Sequence, residues 1–261
     1  MDSSNAKIYS NVHYFDSRKH LDTFFSGKVH PDLAYDTIVF PMEKLRQAIE
    51  KGLIKGDSLI DISVGGILHL LYAVCDFFKQ ITVLKFNEGC VMEVTKWLYT
   101  RTGAYDWSHM MSILPNLKGV RQLTDLKELQ LKTTVKQVLK CDLNKVNITD
   151  PVLLAPADCV LVAAAAEIVS RDREEFVRNM KKFAALVKPG GQLIFFGVLG
   201  ATYFLVGTEK HHIFSCDENL VSKVLTGEGF TILQSEVLQS KHRSDLVDHK
   251  ATMFLIAQRG A

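Results

Sequence analysis

The chain has 261 residues, of which 47% are hydrophobic and 23% are charged, so it can bury a sizeable core. Its formal net charge of +2 does not favour nucleic acid or an anionic membrane as a partner. No run of 18 apolar residues is present, and the polar N-terminal segment lacks the apolar stretch of a secretory signal, so we expect neither a membrane span nor secretion.

The cysteines and histidines do not follow the spacing of a metal site. The five cysteines lack CxxC spacing and are scattered, which is typical of reduced, mostly buried thiols in a cytoplasmic protein. No histidines stand at HxH or HxxxH spacing, so we expect no metal ion. His211 and His212 are adjacent and would face opposite sides of a strand. The cysteines are Cys75, Cys90, Cys141, Cys159 and Cys216.

The first 56 residues have a mostly helical pattern. Leu45, Ile49 and Leu53 recur every four residues, which predicts an apolar helix face within the segment Met42 to Gly56. We therefore expect residues 1–56 to form a helical cover on the rest of the chain.

From residue 57 onwards, apolar segments that predict strands alternate with amphipathic segments that predict helices. This alternation predicts a parallel sheet covered by helices on both faces, within a single domain that spans residues 1–261. The last two strands lack an intervening helix, which predicts an antiparallel hairpin at one sheet edge. The predicted strands are 58–63, 80–86, 141–143, 157–166, 192–199, 231–238 and 252–259. The predicted helices are 68–78, 90–101, 126–140, 173–188 and 218–230.

Several motifs stand in the order and spacing of a known family. The stretches GDSLIDISVGG, AYDW, VKQVLKCDL, PADCVL and LVKPGGQL resemble those of class I S-adenosylmethionine (SAM) methyltransferases. The chain most closely resembles the nicotinamide, indolethylamine and phenylethanolamine N-methyltransferases, from about Tyr9 to Arg259. This resemblance implies an α/β, Rossmann-like fold with a seven-stranded, mostly parallel sheet, an antiparallel last strand, helices on both faces and an N-terminal helical cover.

The turn after the first strand departs from the pattern of those enzymes. Their turn reads D-I-G-S-G-P-T, and here it reads D-I-S-V-G-G-I. Ser63 replaces the first glycine, while Val64 and Ile67 replace the serine and threonine that bind the amino-acid end of the cofactor. His69 replaces a tyrosine. Gly65 is retained, so a tight turn remains possible.

The acid that accepts the ribose hydroxyls at the end of the second strand is replaced by Lys85, which has three donors and no acceptor. Losing two hydrogen bonds worth about 1.5–3 kcal/mol each predicts SAM affinity weaker by at least about two orders of magnitude. A nearby asparagine is replaced by Cys90, and Glu88 is a candidate substitute for the acid. Asp142 is retained, followed by Leu143, and either contacts an adenine-like amine or caps the following turn.

The acceptor side of the pocket also loses polar groups. Three tyrosines of the N-terminal cluster are replaced by His20, Phe24 and Phe25, and the acid after the fifth strand by Gly197. These changes indicate a larger and more apolar cavity than the enzymes have, suited to an apolar or aromatic ligand. The other residues of this remodelled pocket are Ala163, Ala164, Glu167, Phe204 and Ile213.

Three functions remain open at this point. The leading hypothesis is a monomeric, non-catalytic member that binds a small apolar or aromatic molecule, with no catalytic residue and with no cofactor or only weakly bound SAM. The second is an active SAM-dependent N-methyltransferase of aromatic amines with a rebuilt site. The third is a structural or abundant recruited protein whose pocket has collapsed.

Overall fold

The computed structural model describes residues 15–111 and 121–261, with the backbone alone described at 111 and 121–124. A helical N-terminal segment precedes an α/β core. The helices are α1 (Ser17–Phe24), α2 (Pro31–Ala34), a π-helix (Tyr35–Val39), α3 (Phe40–Glu50), α4 (His69–Val74), α5 (Glu88–Leu98), α6 (Ser108–Met111), α7 (Arg121–Thr134), α8 (Arg173–Ala184) and α9 (Glu218–Gly227).

The core contains a seven-stranded sheet with the order β3-β2-β1-β4-β5-β9-β8. β1 to β5 pair in parallel, and β9 runs antiparallel to both β5 and β8, which confirms the mostly parallel sheet expected of this fold. The strands are β1 (Ser58–Ser63), β2 (Gln80–Lys85), β3 (Val135–Lys140), β4 (Ala157–Ala163), β5 (Val187–Leu199), β6 (Tyr203–Val206), β7 (Glu209–His212), β8 (Phe230–Gln239) and β9 (Ala251–Arg259).

Each face of the sheet has its own apolar core. The helical cover, α4 and α5 pack on one face, where Leu21, Leu45 and Leu71 are at most 1% exposed. On the other face α8 and α9 cover the sheet with residues such as Phe176 and Val221. Burial on both faces explains why the central strands are apolar at nearly every position.

The third strand corrects the prediction of a helix over 126–140. The helix ends at Thr134, and Val135–Lys140 instead pairs with β2, with Val138 opposite Val83. The helical spacing of its apolar residues was misleading because pairing with β2 satisfies the backbone in the extended form. Residues 141–143, predicted as a strand, follow β3 outside any regular element.

Two further elements differ from the sequence-based expectation. α8 ends at Ala184, earlier than predicted, and β5 already begins at Val187, which pairs with Ala157. Pro189 lacks the N–H that a continuing helix requires. The hairpin of β6 and β7 was not predicted at all, and Gly207 turns between its strands with a φ of +62°.

Candidate functional site

The turn after β1 lies at the carboxyl end of the parallel strands, where open α/β sheets hold their ligands. Lys85, the last residue of β2, reaches across to this turn with a fully buried side chain. Its ammonium Nζ donates to Ser63 Oγ at 2.6 Å, to the Ser63 carbonyl at 3.3 Å and to the Ile67 carbonyl at 3.2 Å. The three donors of the lysine are therefore all used inside the protein.

A buried carboxylate completes this network. Asp61 Oδ2 lies 3.6 Å from Lys85 Nζ and accepts a hydrogen bond from Ser63 Oγ at 2.7 Å. Burial lowers the pKa of the Lys85 ammonium, and the Asp61 charge opposes that shift. Burial likewise raises the pKa of Asp61, opposed by Lys85 and by the Ser63 hydroxyl. Each charge is thus stabilised inside the protein by the other.

The N-terminal cover packs directly on the two glycines of the turn. A Cβ at Gly65 would lie 2.8 Å from His20 Nδ1 and 3.0 Å from Phe15 Cε1. At Gly66 it would lie 2.7 Å from Ser17 Oγ. The glycines are therefore required by the close approach of α1 and of Phe15, as well as by the φ of +58° at Gly65.

An ion pair holds this cover in place. Arg18 of α1 pairs with Glu93 of α5, whose side chain is largely buried, and it also donates to the carbonyl of Gly103. Asp16 caps the start of α1 by accepting from the Lys19 N–H at 2.9 Å. Together these contacts close the space over the turn from the side of α5.

Beside the closed turn lies an apolar cavity of about 70 Å³. It is bounded by the turn, the ends of β4 and β5, the β6–β7 hairpin, the N-terminal cover and the loop that precedes β9. Every lining residue is buried or half-buried. The lining residues are His20, Phe24, Phe25, Thr37, Val64, Ile67, His69, Ala164, Ile168, Phe196, Val198, Phe204, Ile213 and Val247.

The two histidines in the lining are held neutral by their surroundings. Burial, aided by the charges of His211, Lys85 and His69, lowers the pKa of His20 to about 3. Burial also lowers the pKa of His69 to about 3, partly opposed by a contact with the Thr37 backbone. Neither ring nitrogen of His69 makes a hydrogen bond of good geometry. The cavity thus presents weakly polar, uncharged groups to whatever fills it.

Aromatic rings form much of the cavity wall. Phe25 contacts the His69 ring at a centroid distance of 5.0 Å, and His20 contacts Phe24 at 5.1 Å. Phe204 stacks on His211 of the hairpin, with centroids 5.1 Å apart. This wall suits planar, apolar molecules.

A buried contact between a histidine and a carboxylate lies close in sequence to two of the lining residues. His249 Nε2 lies 3.1 Å from Asp36 Oδ2, and both side chains are almost fully buried. Asp36 belongs to the π-helix and precedes the lining residue Thr37, while His249 stands two residues after Val247. The pair therefore ties the N-terminal cover to the loop between β8 and β9 at the cavity.

Eight of the residues proposed from sequence come together around this cavity. Whether they bind a ligand stays a prediction, but the fold brings both the turn and the N-terminal cover to the same space. The eight are His20, Phe25, Val64, Ile67, His69, Ala164, Phe204 and Ile213. Ala164 contributes from a φ of +45°, a left-handed conformation that is strained for a residue with a Cβ.

Other proposed residues lie outside the cavity. Cys90 is buried in the first turn of α5, where its N–H donates to Asn87 Oδ1. Asp142 accepts from the Asn144 N–H at 2.9 Å, which agrees with the turn-capping alternative. Leu143 packs against the core of the opposite sheet face. Glu88 is exposed and pairs with Lys140 at 3.0 Å. Whether it takes the place of the acid stays a prediction.

The residues proposed at the ends of β4 and β5 need a correction. Ala163 is fully buried in the core and does not line the cavity. Gly197 faces the opposite side of the sheet, where a Cβ would lie 2.8 Å from Glu167 Oε1. Glu167 Oε1 accepts from the Val198 N–H at 3.0 Å, and burial raises the pKa of this carboxyl to about 7.

Six lining residues were missed by the sequence analysis. Phe196 and Val198 could have been found, because side chains alternate along β5 and the residues on either side of Gly197 share the face opposite to it. Phe24 replaces a tyrosine of the N-terminal cluster but was not proposed as a pocket residue, and Ile168 follows the proposed Glu167. Thr37 and Val247 gave no signal, since a π-helix and a long loop position them.

The sequence and the fold match known proteins along most of the chain. A model of the NNMT/PNMT/TEMT family matches residues 5–260. Indolethylamine N-methyltransferase of Oryctolagus cuniculus is 31% identical over 94% of each chain. Nicotinamide N-methyltransferase of Homo sapiens is 32% identical over 79% of this chain and 78% of that protein.

Solved structures match at the level of the fold. A magnesium protoporphyrin IX methyltransferase from Synechocystis with bound SAH has a TM-score of 0.58 at 14% identity, covering 98% of this chain and 99% of that chain. The [4+2]-cyclase SpnF has a TM-score of 0.59 at 13% identity, covering 99% of this chain and 96% of that chain. Identities this low speak for the fold alone.

Proposed function

This chain belongs to the NNMT/PNMT/TEMT family, and from that premise we propose that it is a non-catalytic member that binds a small, neutral, apolar or aromatic molecule in its cavity. One observation carries the proposal. The turn that a class I methyltransferase offers to its cofactor is bonded here to the protein's own Lys85 ammonium.

The residues at the turn fit SAM poorly. The resemblance assigns the ribose hydroxyls to an acid at position 85, and Lys85 offers no acceptor. Ser63, at the position of the first glycine, is already bonded to Lys85 and Asp61. The approach to Gly65 is filled by Phe15 and His20 of the cover. Entry of SAM would have to displace both the ammonium and the cover.

The cavity supports the choice of ligand. Among the residues that the structure describes, the lining contains no acid, lysine or arginine, so a charged ligand would lose its hydration without gaining a partner there. Its volume of about 70 Å³ is roughly half that of the engineered 150 Å³ cavity that binds benzene. A ligand with one aromatic ring therefore needs a small outward movement of lining side chains such as Phe24 or Phe204.

We also propose that the protein acts as a monomer in a reducing compartment, as in the cytoplasm. The thiols of all five cysteines are free and buried, which supports this setting. Among the residues that the structure describes, none of the helices is both long and apolar enough to cross a bilayer.

A second candidate is an active SAM-dependent N-methyltransferase. It is favoured by the curated relatives, which are indolethylamine, nicotinamide and phenylethanolamine N-methyltransferases that match 79–99% of this chain. In this case the Lys85 side chain would have to leave the turn and α1 would have to move away. A third candidate, a protein with a purely structural role, predicts that no ligand occupies the cavity.

Isothermal titration calorimetry with SAM and S-adenosylhomocysteine tests the loss of the cofactor site. We expect affinity weaker by at least about two orders of magnitude than that of human nicotinamide N-methyltransferase titrated in parallel. The double variant Lys85→Asp/Ser63→Gly should still bind poorly, because the cover continues to occupy the turn. Micromolar binding by the unmodified protein would contradict the proposal and favour the second candidate.

A separate experiment tests the ligand. Protein from its natural source is extracted with organic solvent and the extract is examined by mass spectrometry, while recombinant protein is titrated with indole and toluene. We expect a stoichiometric neutral compound in the extract and saturable binding of at least one probe. An empty extract together with no binding of either probe would favour the structural role.

A further inference from the structure

Three side chains of types that can bind a metal ion, from two distant parts of the sequence, meet at the surface of the fold. His30 and Asp32 stand at the start of α2, and His242 lies in the loop between β8 and β9. One possible ligand atom from each lies within 4.8 Å of the others. The rings of His30 and His242 are stacked, with centroids 3.7 Å apart and planes at 8° to one another.

From this juxtaposition we propose that His30, Asp32 and His242 bind one divalent transition-metal ion, with Zn²⁺ as the representative ion. Two imidazoles and one carboxylate are a ligand set that Zn²⁺ accepts, with water in the remaining position. The carboxylate offsets part of the charge of the ion, and the imidazoles supply the nitrogen ligands.

The local structure prepares two of the three ligands. His30 caps α2, and its Nδ1 accepts from the Asp32 N–H at 3.3 Å. The Asp32 carboxylate lies 3.8 Å from the same nitrogen. Both side chains are about half exposed, at 48% and 51%, so an ion reaches them directly from solvent. Metal binding would require the exposed His30 ring to tilt out of the stacked arrangement, so that a nitrogen lone pair of each imidazole faces the ion.

The cluster lies where a bound ion would join two segments of the fold. The His30–Asp32 segment belongs to the N-terminal cover, and His242 belongs to the loop that reaches the cavity at Val247. The buried pair of Asp36 and His249 joins the same two segments. A bound ion would therefore be a second, external fastening of the cover to this loop.

The test uses chelator-treated protein without a polyhistidine tag, titrated with ZnCl₂ by calorimetry. We expect one equivalent of Zn²⁺ to bind the unmodified chain and to raise its melting temperature. His242→Ala should weaken binding at least about tenfold, since loss of a mere supporting group around a metal already costs 10–100-fold. Asp32→Asn should also weaken it, and Co²⁺ should give visible absorption bands that His242→Ala abolishes.

Two histidine variants serve as matched controls. His212→Ala removes a half-buried histidine of β7 that contacts the Arg171 carbonyl, and it should leave Zn²⁺ binding unchanged. His13→Ala removes a histidine outside the described residues and should likewise leave Zn²⁺ binding unchanged. The proposal is wrong if the unmodified chain gives no binding heat at about 100 µM Zn²⁺, or if binding survives both His242→Ala and Asp32→Asn. These results do not depend on whether SAM or an aromatic ligand binds.

Discussion

The turn after β1 and the cavity beside it share Val64 and Ile67, yet they are filled in different ways. At the turn, the Ile67 carbonyl is bonded to the buried Lys85 ammonium, and the cover packs on both glycines. The side chain of the same residue, Ile67, lines the apolar cavity of about 70 Å³. One part of the cleft is closed by polar contacts within the protein, and the other part stays open.

The difference follows from free energy, because a buried polar group without a partner and an empty apolar space destabilise the fold by different amounts. A buried carbonyl or hydroxyl without a partner costs about 1–3 kcal/mol, so several of them at one turn would be severe. An apolar void costs about 24 cal/mol per Å³, which for 70 Å³ is about 2 kcal/mol in all. In the proposed loss of the cofactor site, the polar groups of the turn need new partners, whereas apolar space can persist and hold another ligand.

Removing Lys85 should have the largest effect, because its side chain makes the hydrogen bonds and the ion pair that close the turn. Lys85→Met leaves Asp61 as a buried charge without its partner and leaves the Ile67 carbonyl without a donor. We expect a loss of about 3–5 kcal/mol in the free energy of unfolding, measured by urea denaturation. Lys79→Met, which removes an exposed lysine that pairs with Asp57, is the matched control and should change little.

A double variant distinguishes the ion pair from simple loss of packing. Asp61→Asn combined with Lys85→Met should be less destabilising than the sum of the two single changes, because no uncompensated charge remains. Additive losses would mean that Lys85 acts mainly through the volume of its side chain.

The cavity should respond to acid through its histidines. Because the pKa values of His20 and His69 are about 3 in the folded protein, the unfolded chain takes up their protons first as the pH falls below about 6.5. Stability is therefore lost on acidification, by about 2 kcal/mol for each histidine at pH 5. His69→Phe should remove about half of this loss, as measured by urea denaturation at pH 7.5 and pH 5.

Glu167 provides a control of opposite sign. Its pKa of about 7 in the folded protein lies above that of the unfolded chain, so its protonated form stabilises the fold at low pH and this gain is lost as the pH rises through 7. Glu167→Gln should thus make the loss of stability on acidification steeper, whereas His69→Phe makes it shallower. Equal profiles for the two variants would contradict the burial of these groups.

Filling the cavity should give the smallest change in the free energy of unfolding. It should stabilise the fold, whereas adding the same group to a packed core should destabilise it. Val198→Ile adds a methyl group at the cavity, and we expect a gain of about 0.5–2 kcal/mol together with weaker binding of indole or toluene. Val162→Ile adds the same group to the fully packed opposite face and should cost about 1–3 kcal/mol. Losses of similar size in both variants would show that the space beside Val198 is not available.

The sequence specified the sheet better than the site. The strands β1, β4 and β9 are apolar runs bounded by turn residues, and their pairing follows from the alternation with helices. The edge strand β3 was mistaken for a helix because its apolar residues have helical spacing and its partner lies far away in sequence. Local pattern alone does not reveal such pairing.

At the site, the chemical changes could be read from the sequence but their consequences could not. The loss of the acid at Lys85 predicted a missing acceptor, yet nothing in the sequence indicated that the ammonium would turn inward to Ser63 and Ile67. Gly197 was assigned to the pocket although strand alternation puts it on the other face. The meeting of His30 with His242 depends on two loops brought together by the fold.

The arrangement of Asp61, Ser63 and Lys85 also bears on the order in which such a site can change during evolution. The Ser63 hydroxyl accepts the shortest hydrogen bond of the Lys85 ammonium, at 2.6 Å. A lysine that arose before the serine would have lacked this hydrogen bond. A return of Ser63 to glycine alone would in turn leave the buried Lys85 ammonium without this acceptor. The residues at positions 63 and 85 therefore depend on one another, and a change at either position alone is expected to cost stability.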